Sequence, residues 1–222
     1  MNKFKKIWIQ FIIFLFVLFI SLFGYIKYPA FFSLFENRLN DVMFLARGSQ
    51  KADEDIIIVD IDEKSLRYLG QWPWSRNKVA QILQNLTQNG AGIIGLDVVF
   101  AEADSSSPKL VLQKLGLSDT KAEDYDKILA DTIAKSPTIV GYVFVLNNDG
   151  LKEEGHPKNR AIFIERNKPE HSFLIQPYRA ILNIPLIQQS AYSNGYFNTI
   201  PDEDGVVRSI PMIIPNYAIE PH

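Results

Sequence analysis

The sequence predicts an α/β protein: an N-terminal transmembrane helix and a stalk helix, then a mainly parallel sheet flanked by helices with a C-terminal β-hairpin. Three observations predict it. Residues Ile7–Ile26 form a run without a single charge. Beyond it, apolar β-type runs alternate with amphipathic helical stretches, the pattern of βαβ units. Near the end, Asp204-Gly205 separates two further β-like runs, a strong hairpin signal.

The charge-free run contains only Gln10, Ser21 and Tyr25 as polar side chains. Its length matches a bilayer core of roughly 30 Å at about 1.5 Å per residue. A cleaved signal peptide would have a shorter apolar core and a small-residue cleavage site. Here Tyr25-Ile26-Lys27-Tyr28-Pro29 follows, bulky and aromatic, as at a membrane interface. Lys3, Lys5 and Lys6 crowd the N-terminal side, so the positive-inside rule puts the N-terminus in the cytoplasm and residues from about 28 onward outside. The expected location is the plasma or inner membrane, crossed once by residues 1–27.

Residues 28–50 read as the stalk. Phe31, Phe35, Leu39, Val42 and Ala46 fall on one helical stripe, and Gly48 offers a C-terminal cap. That stripe packs either on the chain's own domain or on a second copy. Pro29 is the expected break between span and stalk.

Residues 51–222 form the globular domain. Ile56–Ile61 is predicted as the first strand, running out of the core into Asp60, Asp62 and Glu63. Glu63–Leu69 is a short helical turn stopped by Gly70. Ser75 is placed to cap a helix through Asn89 with Val79, Ile82, Leu83 and Leu86 inward. Gly92–Phe100 is a second strand, and the intervening crossover makes the two parallel. A polar loop spans 101–122, with a short amphipathic piece at Leu110–Leu117. Asp124–Lys135 is a helix, Thr138–Leu146 a third strand, and Asn147–Gly150 a turn. Then come a short strand at Ala161–Glu165, a helix over Ala180–Gln189, and the hairpin arms Tyr192–Asn198 and Val206–Ile214.

Composition narrows the function classes. The absence of cysteine removes disulfides and thiol chemistry, and a net charge of −2 gives nucleic acid no electrostatic footprint. His156, His171 and His222 lack zinc-type spacing. No phosphate-cradling glycine loop or Gly-x-Ser-x-Gly elbow is present, and no cofactor is expected. The Asp202–Asp204 run lacks the closing glutamate of a calcium loop and reads as a turn.

The candidate chemistry lies around Asp60, Asp62, Trp72, Trp74, Arg76 and Asp97. Carboxylates beyond the ends of parallel strands stand where open α/β sheets bind ligands. Asp60-x-Asp62 is also the arrangement of haloacid-dehalogenase-like phosphatases, where one carboxylate attacks phosphorus and a magnesium ion ties the pair together. A surface-anchored phosphatase is therefore the enzymatic alternative, although Lys64 and the lack of a later acidic pair depart from that pattern. Structurally, Asp62 with Ser65 fits a capped turn, and Arg76 is a cation for Asp60 or Asp97. Two tryptophans beside Arg76 suit a small organic ligand held by stacking and charge.

Five spaced blocks agree in order with one family. Ile57–Leu66, then Gly70-Gln71-Trp72-Pro73-Trp74-Ser75-Arg76, then Gly90-Ala91 with Gly95–Phe100, Glu102 and Asp104, then Asn194–Asn198, then Asp202–Arg208 resemble the type-two CHASE domain. The stalk, with Asp41 and Arg47-Gly48, is also similar. The resemblance spans about residues 35–214. It implies an extracytoplasmic sensory domain without catalysis of its own. It further implies an unknown small-molecule or other extracellular signal, a homodimer, and a cytoplasmic adenylate or guanylate cyclase or kinase as the effector, which the chain does not reach by His222.

Overall fold

Helix α1 (Lys3–Lys27) forms over the charge-free run, and α2 (Pro29–Arg47) over the predicted stalk. The computed structural model describes residues 3–117, 119–151, 155–158 and 174–215. Tyr28 alone separates the two helices. Proline fits the first helical position, where its missing N–H costs nothing, so Pro29 starts α2 and ends α1. Phe4–Lys27 is long and apolar enough to cross a membrane, and none of that window is buried. Gly48, at φ 69°, donates its amide to Phe44 and Leu45 carbonyls and closes α2. The stalk stripe of Phe31, Phe35, Leu39 and Val42 is exposed.

The chain divides into two units, Met1–Asp60 and Ile61–His222. In the first, the predicted strand at Ile56–Ile61 is not found. Ile56, Ile57 and Ile58 are 73%, 82% and 89% exposed and carry no ladder. β-Branched residues favour extended backbone, but a strand exists only where a partner takes its N–H and C=O groups. None among the described residues does so.

In the second unit, α3 (Glu63–Leu69) is followed by α4 (Arg76–Gln88), β1 (Ile94–Leu96), α5 (Pro108–Lys114), α6 (Tyr125–Ile133) and β2 (Thr138–Val145). The order ends with β3 (Arg179–Ile181), α7 (Pro185–Ser190) and β4 (Ser193–Tyr196). Strand β2 is the centre. Ile94 to Leu96 pair with Thr138 to Val140 in parallel, and β4 pairs in parallel through Ile139↔Ser193 to Tyr142↔Tyr196. Only β3 is antiparallel, with Phe144 opposite Ala180. The sheet is thus mainly parallel, as predicted.

The core lies where α4, α6 and α7 meet β1 and β2. Leu83, Leu129, Ile133, Val140, Ile187 and Phe100 are almost wholly buried there. A second cluster, Tyr142, Phe144, Ala180 and Ile214, covers the far half of β2. Polar side chains finish what short strands leave open. Asn198 accepts the Phe144 N–H at 2.8 Å and donates to the Phe144 carbonyl at 2.7 Å, standing in for a further strand residue. Buried Asn183 accepts from the Phe100 amide and donates to the Gly141 carbonyl, both at 2.8 Å.

Several boundaries differ from the sequence reading. Ala180–Gln189 is not one helix: residues 179–181 join the sheet and Pro185 starts α7, since proline and the residue before it resist helix interior geometry. Residues 101–122 are more than a surface loop, because Asp104 and Ser107 are buried and α5 forms within it. The Ser107 hydroxyl accepts the Tyr125 amide at 3.1 Å and fastens this segment to the start of α6. The hairpin turn is present: the Gly205 amide donates to the Asp202 carbonyl at 2.8 Å, with Gly205 at φ 80°. Arg208 grips Asp202 and Asp204 and holds the Asp204 carboxyl down at about 2. The return arm, 206–214, forms no ladder among the described residues. The predicted strand at 161–165, with His171 and His222, lies outside the described residues.

Candidate functional site

The residues between Trp72 and Arg76 turn from α3 into α4, and each side chain takes a different task. Trp74 is buried and donates its indole N–H to the Gly70 carbonyl at 2.7 Å, so it anchors the turn. Trp72 meets it edge to face, 5.7 Å between ring centres, and is only half-buried. The Trp72–Pro73 peptide is cis. Arg76 opens α4. Its guanidinium lies over the Phe100 ring at 4.5 Å and donates to the Glu102 carbonyl at 3.3 Å.

Helix α4 is not capped as the sequence suggested. The Ser75 hydroxyl bonds Asn77 and makes no cap. The cap comes from far along the chain: Asp104 accepts the Arg76 amide at 2.7 Å. Asp104 also accepts the Ser106 amide at 2.9 Å and hydroxyl at 2.6 Å. Its own amide donates to Asp126 at 2.9 Å. Burial pushes the Asp104 carboxyl up, but the bonds from Ser106 and the Arg76 amide outweigh it, and the group stays below its ordinary value. For Asp126 burial wins, and its carboxyl is raised. Asp126 Oδ1 and Arg76 Nε are both buried without a hydrogen bond, facing each other at 3.8 Å. Within its unit Arg76 therefore pairs with Asp126 through its side chain and with Asp104 through its amide, not with Asp97.

These contacts frame an open groove of about 260 Å³, lined by Trp72, Pro73, Arg76 and residues 98–102. It opens directly after β1, at the carboxyl end of a parallel strand, where such sheets place their ligands. Its lining residues are apolar or aromatic apart from Arg76 and the exposed residue Glu102, whose main-chain oxygen accepts from the guanidinium.

Of the six residues singled out in the sequence, Trp72, Trp74 and Arg76 come together here. Asp97 is exposed at the end of β1, next to the groove-lining Val98. Asp62 caps α3, accepting the Ser65 amide at 2.8 Å and hydroxyl at 2.7 Å, which lowers its carboxyl. Asp60 ends the first unit, exposed and without a hydrogen bond among the described residues. The described residues contain no metal-type cluster of acids and histidines. Sequence reasoning missed Phe100 and Asp126 as partners of Arg76. The only available signal for Asp126 was an acid at an inward helix position, beside Leu129 and Ile133.

The α/β domain carries a groove after β1, and the N-terminal helix of the chain is long and apolar enough to span a membrane. The CHASE2 domain family model matches residues 12–221, and the chain belongs to that family of extracytoplasmic sensory domains. Comparison with curated proteins found no match, and neither did comparison with solved structures.

Proposed function

We propose that this chain is the signal-receiving part of a membrane receptor. Its α/β domain stands outside the plasma or inner membrane and binds a small molecule. The stalk and span carry the bound state to a cytoplasmic effector, an adenylate or guanylate cyclase or a kinase. The observation that carries the reading is the groove after β1, in a domain of a sensory family. Trp72, Arg76 and the neighbouring Asp97 contribute to ligand capture. Trp74 and Asp62 hold the loops that bear them. The exposed apolar stripe of α2 supports a homodimer formed along the stalk.

Single cysteines test the arrangement cleanly, because the chain has none of its own. In intact cells, a membrane-impermeant maleimide is expected to label Lys64→Cys, exposed on α3, and to spare Lys5→Cys. Oxidised membranes carrying Leu39→Cys are expected to yield a covalent dimer. Labelling of Lys5→Cys alone would invert the topology, and a Leu39→Cys chain that stays monomeric would remove the stalk dimer.

A further inference from the structure

We propose that the groove binds a zwitterionic amino acid with an apolar side chain, its α-carboxylate on the Arg76 guanidinium and its α-ammonium on the Glu102 carboxylate. The proposal rests on the reading of the groove as the sensory site and names the ligand class.

Four observations converge on it. First, Arg76 and Glu102 line one groove without pairing with each other. Arg76 reaches only the Glu102 main-chain oxygen, and the Glu102 carboxylate has no hydrogen bond or ion pair among the described residues. Second, Arg76 is fixed from behind. Its side chain is 13% exposed, stacked on Phe100 and facing Asp126, while its amide is held by Asp104. These contacts leave Nη1 without a partner among the described residues, a preorganised donor for a carboxylate.

Third, the local charge selects a zwitterion over a bare anion. One guanidinium stands against Glu102 in the groove and Asp126 behind it. A simple carboxylate would meet more negative than positive charge there. A ligand with its own ammonium group converts the Glu102 repulsion into a second contact. Fourth, about 260 Å³ is below the ~300–1,000 Å³ of pockets for larger ligands and suits a molecule of amino-acid size. Trp72, Pro73 and Val98 would cover its side chain.

Isothermal titration of the full chain in lipid nanodiscs tests the proposal with three probes: L-leucine, 4-methylpentanoate, which lacks the ammonium, and 3-methylbutylamine, which lacks the carboxylate. Leucine is expected to bind, and each analogue at least about tenfold more weakly, because each leaves a charged group unpaired. Glu102→Gln is expected to weaken leucine by a similar factor and to leave 4-methylpentanoate unweakened. Glu102 is exposed, so this variant folds. If 4-methylpentanoate binds as tightly as leucine, the zwitterion is overturned while the sensory groove stands. If leucine and both analogues all fail at millimolar concentration, the amino-acid class is overturned. A parallel thermal-shift screen of sugars and organic acids then separates that failure from failure of the sensory reading: a hit that Glu102→Gln does not move keeps the sensor, and no hit removes it.

Discussion

Gly141→Ala is expected to destabilise the domain by about 3 kcal/mol or more, among the largest effects of any single methyl addition in the chain. Gly141 sits in the middle of β2, paired with Gly195 of β4 on one edge, and its carbonyl accepts the Asn183 side-chain amide. A Cβ there would lie 2.6 Å from the Leu96 carbonyl oxygen and 2.6–2.8 Å from the Phe197 ring. The ring could turn aside, but the Leu96 carbonyl belongs to β1 and cannot move without disturbing the neighbouring pairing. At about 2–4 °C per kcal/mol for a protein of this size, the full chain should lose roughly 6 °C or more in Tm. Differential scanning fluorimetry reads this directly. A variant melting with the wild type would mean that β1 and β2 are not packed as described.

Asp104→Ala is expected to cost about 2–4 kcal/mol, because one truncation strands several donors. The part-buried Arg76 amide loses its capping acceptor, the Ser106 amide and hydroxyl lose theirs, and the buried place of the Asp104 carboxylate is left empty. The pH dependence has a definite sign. The folded state depresses the Asp104 carboxyl below its ordinary 3.8, so its contribution is full above that value and is lost as pH falls through the depressed one. Asp126 runs the other way: its raised carboxyl makes ionisation a cost that disappears as pH falls below the ordinary range. The stability gap between wild type and Asp104→Ala should therefore narrow in acid. Urea unfolding across that range checks it; a gap that widens in acid would mean that the carboxylate is not the capping group.

Much of this architecture is readable from sequence, and the failures have physical causes. Charge-free length, helical stripes and proline placement locate α1, α2, α4 and α6 because each is a local property of the chain. The strand at 138–145 is legible because a long β-branched run buried on both sides has few other uses. The run at Ile56–Ile58 has the same composition, yet local pattern carries no information about a partner, and here the ladder is missing. The helix predicted over 180–189 failed because three residues joined a distant strand. At the site, Trp72-Pro73-Trp74 and Arg76 stood out as a motif, whereas the α4 cap came from Asp104 and the guanidinium contact from Asp126. Both depend on contacts between residues 28 and 50 positions apart along the chain, which spacing alone does not reveal.

Hydrogen exchange on the full chain in nanodiscs, with and without a mixture of amino acids, organic acids and sugars, tests most directly whether this domain reads a small molecule in the groove. Slower exchange confined to residues 70–78 and 98–104 is the expected result. Exchange unchanged throughout, or protection elsewhere in the domain with the groove untouched, would contradict it.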